Sequence, residues 1–367
     1  MSLDDGASWQ PLQTNLPHAP IYWLVVQERF NDLVVSTYGR GFWILDDITP
    51  LQQLAPDALA AGAALLKPRP AYRFREVTAP MAMLDDPSAG QNPPYGAAIN
   101  YWLKTAPKDS VTITIADAAG QTVRTLHGPK SMGINRVWWD LKNEQTRVAR
   151  LRTAPAYAPE VQPSPDTGRV APGIGRLAVL MPPGTYTVKL KVGDQELTQP
   201  LEVRKDPTSG GSPEEIQTQL KLLVALQGDL NRAADMINQI EVVRSQLQSL
   251  RSLLADKSAG DVRVQADSLE KKFITAEETL HQLKVTGRGQ DNIRWPARLA
   301  AQIVYLAQGV ASSDFAPTAQ QNGVHELFEE QLKTSRTRLD QLVSQDLAQF
   351  NEMLRQRNIG NVVAATQ

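Results

Sequence analysis

The 367-residue sequence contains no cysteine. That excludes disulfides, Cys-ligated zinc, iron–sulfur clusters and a thiol nucleophile. It carries almost no net charge, with 38 Lys and Arg against 39 Asp and Glu. A general nucleic-acid or anionic-membrane binder needs a basic surface, so neither class fits. No apolar run approaches the ~20 residues of a bilayer-spanning helix. The N-terminus has neither a charged segment nor an apolar one and does not read as a signal peptide.

The motifs of common enzymes are missing as well. His18, His127, His281 and His325 are scattered, without paired spacing. There is no G-x-S-x-G elbow, Walker loop or Rossmann fingerprint. Gly287-Arg288-Gly289 lacks the preceding strand of a phosphate loop, and His325-Glu326 has no second histidine to complete a metal set. Glycosidases need two carboxylates about 5 to 9 Å apart, and no such pair can be nominated. The expectation is no catalytic residue, no cofactor and no metal in this chain.

What is present divides the chain. At ~150 residues per domain the length fits two or three domains, and composition changes after Lys205. Six of the 7 Trp and 22 of the 25 Pro precede residue 208. Beyond Pro213 the chain is rich in Leu, Gln, Ala and Glu at helical spacing. Asp206–Pro213 reads as a linker, with Pro213 placed to start a helix. The two halves carry 21 basic against 19 acidic and 17 against 20, so neither has a strong charge bias.

Residues 1–60 read as strands. Tyr22–Gln27 and Leu33–Thr37 flank an Asn31-Asp32 turn, and Phe42–Leu45 follows Gly39-Arg40-Gly41. Asp46 and Asp47 are an acidic pair. Adjacent strand residues point to opposite faces, which favours strand termination over a shared metal or acid–base site.

Ser2-x-Asp4-x-Gly6-x-Ser8-Trp9 resembles an Asp-box, a hairpin of sialidase-type and sortilin-type β-propellers. In it the Asp accepts backbone hydrogen bonds, the Gly takes a left-handed conformation and the Trp packs between blades. The run from Asp32 to Asp47, with G-R-G-F-W-I-L-D-D, is similar to the closing blade of secreted bacterial propeller proteins named for BNR repeats, glycosyl hydrolases or sortilin. The resemblance implies that residues 1–60 are a terminal blade remnant. A turn at residue 2 leaves no room for a preceding strand, so the chain is expected to begin inside a domain. Its ending, Asn351–Val363, resembles the natural C-terminus of that family. A lone blade cannot cover its own faces and edges, so the missing N-terminal blades are one expected partner. Arg40 is open to two readings, a hydrogen-bonding role in its turn or a ligand-facing role.

Residues 66–205 read as a β-sandwich with an insertion at 143–176. Ala71–Val77 and Ala97–Lys104 each carry two aromatics and can pair in one sheet, around a loop at Asp85–Pro94. Val111–Asp117 alternates, turns at Asp117–Gly120 and returns through Thr122–Leu126. Gly133–Leu141 and the strands on either side of Gly193-Asp194 complete the set. The order is similar to the Ig-like domain of flagellar hook-capping proteins, and Tyr186 resembles a sandwich corner tyrosine. Trp138 and Trp139 alternate faces, so only one can be core. The other is open to inter-domain packing or to carbohydrate stacking. The insertion, with five Pro and Arg147, Arg150, Arg152, Arg169 and Arg176, reads as a mobile loop, or as one that reaches over a ligand.

Residues 213–360 read as an antiparallel α-helical bundle. Ile216 to Leu254 marks a stripe of about 40 residues, a turn lies at Asp256–Asp261, and Val262 to Leu283 follows at heptad spacing. Trp295-Pro296 restarts the helix, with Leu299, Ile303, Leu306 and Val310 on one face, and a final helix carries Val324 to Leu354. The seam can pack within the chain or form an oligomer through the helices.

The expected fold is therefore multidomain β plus α: a β-propeller remnant, an Ig-like β-sandwich and a C-terminal helical bundle. The resemblance implies an extracytoplasmic, non-catalytic accessory region that binds protein, peptide or glycan. The alternative is the C-terminal part of a sialidase-like propeller glycoside hydrolase whose active site lies in earlier blades.

Overall fold

The computed structural model describes residues 1–13, 15–75, 90–254 and 260–364. The fold is mixed β and α, with several sheets and a set of long helices. It divides into two compact units, Met1–Glu144 with Leu180–Ser209, and Gln145–Val179 with Gly210–Gln367.

The first unit opens with three antiparallel strands in the order β1 (Ile21–Gln27), β2 (Asp32–Thr37) and β3 (Phe42–Leu45). Asn31 turns the first hairpin at φ 58, and Gly39 and Gly41 turn the second at φ 73 and 72. Short helices α1 (Thr49–Gln52) and α2 (Pro56–Ala60) lead to β4 (Ala63–Leu65) and β5 (Ala71–Arg73). Then come β6 (Ala97–Leu103), β7 (Val111–Ala116), β8 (Thr122–Gly128) and β9 (Gly133–Trp139). After the chain returns at Leu180, β12 (Gly184–Val192) and β13 (Gln195–Lys205) form a hairpin. One sheet has the order β5-β13-β12-β7-β8 and another β4-β6-β9. Alternation aims Val111, Ile113 and Ile115 of β7 inward beside Val188 and Leu190 of β12. Trp139 of β9 meets Tyr186 of β12 edge to face, with ring centroids 5.1 Å apart, and so joins the two sheets. The Tyr186 hydroxyl donates to the Pro182 carbonyl at 2.7 Å.

One pairing differs from expectation. β5 and β6 lie in different sheets, because β5 runs parallel to the end of β13 instead. Residues 76 and 77 of the expected strand, residues 85–89 of the expected loop and residues 256–259 of the expected turn lie outside the described residues.

In the second unit a Ser212–Glu215 capping box and Pro213 start α3 (Pro213–Leu253), which is 41 residues long. It is followed by α4 (Gly260–Leu280), α5 (Asp291–Arg294), α6 (Leu299–Val310), α7 (Ala319–Gln341) and α8 (Ala348–Gln356). A π turn at Leu342–Leu347 joins the last two. α3 packs against α4, α6 and α7 through the apolar stripe expected from the sequence.

Residues 145–179 form an extended strap on α3. Two-residue strands β10 (Arg150–Leu151) and β11 (Arg169–Val170) pair within it. One polar row of α3 receives its backbone. Asn231 accepts from the Arg147 N–H at 2.8 Å. Asn238 accepts from the Arg150 N–H at 2.7 Å and donates to the Val148 carbonyl at 3.0 Å. Glu241 accepts from the Arg152 and Thr153 N–H groups and from the Thr153 hydroxyl. Gln227 donates to the Leu177 carbonyl at 3.1 Å. Leu151, Ile174, Leu177 and Val179 of the strap enter the helical core. The insertion is thus a packed part of this unit, in place of the mobile loop that its Pro and Arg content suggests.

Glu241 is fully buried. Arg244 binds it at 2.5 Å and Glu277 at 2.6 Å, while Arg251 binds Glu270 at 2.6 Å. Removing one partner of a buried pair costs about 3–5 kcal/mol, since the other charge is stranded. Glu241→Ala is therefore expected to lower the denaturation midpoint strongly and to make residues 145–179 the first segment cut in limited proteolysis. Denaturant melts and mass mapping of the fragments check this.

Two arginines, Arg244 and Arg251, face four carboxylates in this cluster, since Arg251 also binds Asp267. Burial, and then the Glu241 charge, hold the Glu277 carboxyl well above the usual range. The folded state then binds this proton more tightly than the unfolded state, so its contribution is present at low pH and is lost as pH rises above the ordinary carboxylate range. Glu277→Gln is expected to flatten that decline and to match or exceed the native melting temperature at pH 8. Thermal melts from pH 5 to pH 8 on both proteins check this.

Candidate functional site

The N-terminal motif folds into a closed turn. The Ser2 hydroxyl donates to Asp4 Oδ1 at 2.8 Å and accepts from the Gly6 N–H at 2.8 Å. Asp4 also accepts from the Ser8 hydroxyl at 2.5 Å and the Ser8 N–H at 2.9 Å. The Ser8 bonds, followed by that from Ser2, bring the Asp4 carboxyl down to about 2. Gly6 supplies φ 90, and Trp9 Nε1 donates to the Gly6 carbonyl at 3.1 Å. The Trp9 ring is 73% exposed.

The sheet that follows is unusual in what it leaves uncovered. Every residue of β1 is exposed, although six of its seven residues, Ile21 to Val26, are apolar or aromatic. β1 is also an edge strand, so one row of its backbone groups has no ladder partner. Phe42 and Ile44 of β3 add to the same apolar surface. Arg40 sits at the exposed β2–β3 turn, its Nη1 at 3.4 Å from the Gly39 carbonyl, and its own carbonyl accepts from Trp43 Nε1 at 3.0 Å.

The far end of this sheet is held by charges. Asp47 is buried at φ 53, and its N–H donates to Asp32 at 2.9 Å. Arg136 of β9 donates to the Asp47 carbonyl at 3.1 Å and to Asn100 at 2.8 Å. Arg69 donates to the Phe30 carbonyl at 3.1 Å and pairs with Asp47 at 3.6 Å. Asp47 thus anchors the end of β3.

Beside these anchors lies a cleft of about 620 Å³. Phe30, Tyr72, Phe74, Tyr95 and Trp138 supply its aromatic walls, and Asp32, Asp46 and Arg69 its charges. Phe74 and Tyr95 meet edge to face at 4.7 Å, and the Arg69 guanidinium lies 5.3 Å from the Phe30 ring centre. Burial, with the neighbouring Asp32 charge, raises the Asp46 carboxyl. Such a cleft offers ring stacking and a few hydrogen bonds to a sugar or a peptide.

Of the tryptophan pair, Trp138 lines the cleft, whereas Trp139 is fully buried and donates from Nε1 to the Lys142 carbonyl at 2.8 Å. Trp139 is thus core and no ligand face. Arg40 is not among the residues that line the cleft. Sequence reasoning missed Phe30 and Tyr95, which lie outside the strands. Tyr72 and Phe74 carried a usable signal, because alternate residues of an extended segment share a face.

Among the described residues, Asp229, His325 and Glu329 have possible metal-ligand atoms within 4.8 Å of one another. His325 pairs with Asp229 across two helices at 2.9 Å, and not with its neighbour Glu326. Arg232 binds the other Asp229 oxygen, so this carboxylate is satisfied by protein groups alone.

No family model matches the sequence, and no curated protein matches it. No helix among the described residues is long and apolar enough to cross a membrane.

The Asp4 turn is exposed and local. Asp4→Ala is expected to speed amide hydrogen exchange at Ser8 while leaving the main unfolding transition in place. Exchange measured by NMR beside a thermal melt checks both halves.

Proposed function

We propose that this chain is a non-catalytic interaction region of an exported, sortilin-like β-propeller protein. In this reading residues 1–60 are propeller-type strands bearing an Asp-box. They precede an Ig-like β-sandwich and an antiparallel helical bundle. The partner is a protein β-surface, of which earlier propeller blades are the expected example.

The observation that carries the reading is β1, an edge strand with all of Ile21–Val26 apolar or aromatic and exposed. Contiguous apolar surface of this kind marks an interaction site, and an open strand edge can add a partner strand through main-chain hydrogen bonds. The hydrogen-bonded Ser2–Ser8 turn supports the same reading, as does the exposure of Trp9, a ring that packs between blades in the proteins this motif resembles. Export rests on that resemblance.

With no partner present the purified chain is expected to self-associate through β1. Trp23→Lys with Val25→Lys is expected to weaken self-association at least tenfold in sedimentation experiments while leaving the thermal melt unchanged, since both side chains are exposed. A chain that stays monomeric at about 100 μM, where even weak protein contacts register, would count against the docking sheet. Turnover of a glycoside panel by this chain, abolished by Asp46→Asn, would overturn the non-catalytic reading.

A further inference from the structure

The second unit holds a cavity of about 600 Å³ that plays no part in the reading above. Its walls come from the end of the strap, from the segment after α4 and from α6. Arg176 and Arg298 line it, and no Asp or Glu does. Neither arginine has an ion-pair partner among the described residues. Arg176 is oriented by its Nε, which donates to the Thr146 carbonyl at 2.9 Å. Two guanidinium groups lining one cavity, one from the strap and one from the start of α6, with no carboxylate in the lining, form a site of unbalanced positive charge.

His281 also forms part of the cavity wall and is 3% exposed. Its Nε2 is buried and has no hydrogen-bond partner among the described residues. Buried polar atoms are nearly always paired, and an orphan calls for a specific explanation. Burial, and then the Arg169 charge, bring this imidazole down to about 4, so it is neutral near pH 7. A neutral imidazole can donate from one nitrogen or accept at the other.

The remaining wall is aromatic. Trp295 stacks on Tyr157 of the strap with centroids 6.0 Å apart and planes at 9°. Lys284 Nζ lies 4.5 Å from the Trp295 centroid and 5.2 Å from that of Tyr157, which fixes both rings. Tyr305 is 80% exposed at the cavity mouth. Gly173 and Gly175 on the strap side take φ 80 and 76, and a Cβ at Gly175 would meet open space. That wall therefore presents backbone directly to the cavity.

We propose that this cavity binds a small organic anion built on a ring. Its carboxylate or phosphate sits between Arg176 and Arg298, and its ring lies against Trp295. The volume falls within the range of small-molecule sites. The charge of the lining selects against cations and against neutral ligands.

The test is calorimetric titration of the full chain with 1-naphthoate and with phenyl phosphate, beside the neutral analogues 1-naphthalenemethanol and phenol. The two acids separate a carboxylate from a phosphate head group. At least one anion is expected to bind, and the alcohols are expected not to. Arg298→Gln and Arg176→Gln should each weaken anion binding about tenfold or more, the loss typical of a charge-assisted hydrogen bond. Arg298→Lys should recover part of it, and Trp295→Ala should lower affinity for naphthoate more than for inorganic phosphate. A thermal melt of each variant shows that it is folded. Absence of binding by both anions at about 10 mM, well above the range of useful affinities, would overturn the proposal. So would equal binding of the alcohols, or binding unchanged in the Arg176→Gln, Arg298→Gln double variant. Self-association through β1 is measured separately, so failure here is distinguishable from failure of the docking sheet.

Discussion

An extended segment that lies on a protein core must hand its backbone N–H and C=O groups to a partner. Between Gln145 and Val179 a substantial part of that demand is met by side chains of one helix. Gln227, Asn231, Asn238 and Glu241 fall on a single face of α3, and each bonds to strap backbone. The carboxylate of Glu241 takes several of these bonds at once. Its burial then requires a counter-charge, which Arg244 supplies. Arg244 in turn draws Glu277 of α4 into the cluster. One backbone requirement thus fixes the strap, the long helix and its neighbour together. The same strap contributes Ala149, Leu151, Ala171, Ile174, Leu177 and Val179 to the core.

The first unit solves a smaller version of this problem. The small sheet β1–β3 has few buried residues of its own, with Val35 the only buried position in its strands. Its attachment relies on Asp47, whose side chain meets Arg69 and whose carbonyl meets Arg136. Both arginines also serve other groups, Phe30 and Asn100, and so tie loop and sheet to one point. Fixing the end near β3 leaves β1 as the free edge.

Elements with a strong period were legible in the sequence. β7 alternates, α3 and α4 carry continuous stripes, and the Trp138–Trp139 pair had to split between two faces. The strap was not legible. Its strands are two residues long, so no period can develop, and its partners on α3 are polar residues that a helical pattern assigns to solvent. β5 is equally short at three residues, and its choice of sheet depends on β13, more than 120 positions away in the chain. The cleft was half legible. Tyr72, Phe74 and Trp138 follow strand alternation, whereas Phe30 and Tyr95 arrive from loops and meet the others only through the fold. His281 gave no signal at all, since burial and the loss of a partner depend on packing and not on neighbours in sequence.

Charge and burial separate structural groups from those that still lack a partner. Glu241 and Arg244 are deeply buried, yet they bind each other, and Glu241 binds the strap while Arg244 binds Glu277, so their cost is offset. Asp229 is likewise closed by Arg232 and His325. Among the described residues, β1 and His281 are two of the places that do not close in this way. On β1 apolar side chains face water, and at His281 a polar atom faces protein with no partner. The two departures are opposite in sign, and they call for opposite chemistries. An exposed apolar strand is satisfied by another protein surface with an open edge. A cavity lined by two guanidinium groups without ion-pair partners among the described residues is satisfied by a small organic anion that can enter it. Local rules agree across most of this chain, so the sites where they fail are the informative ones.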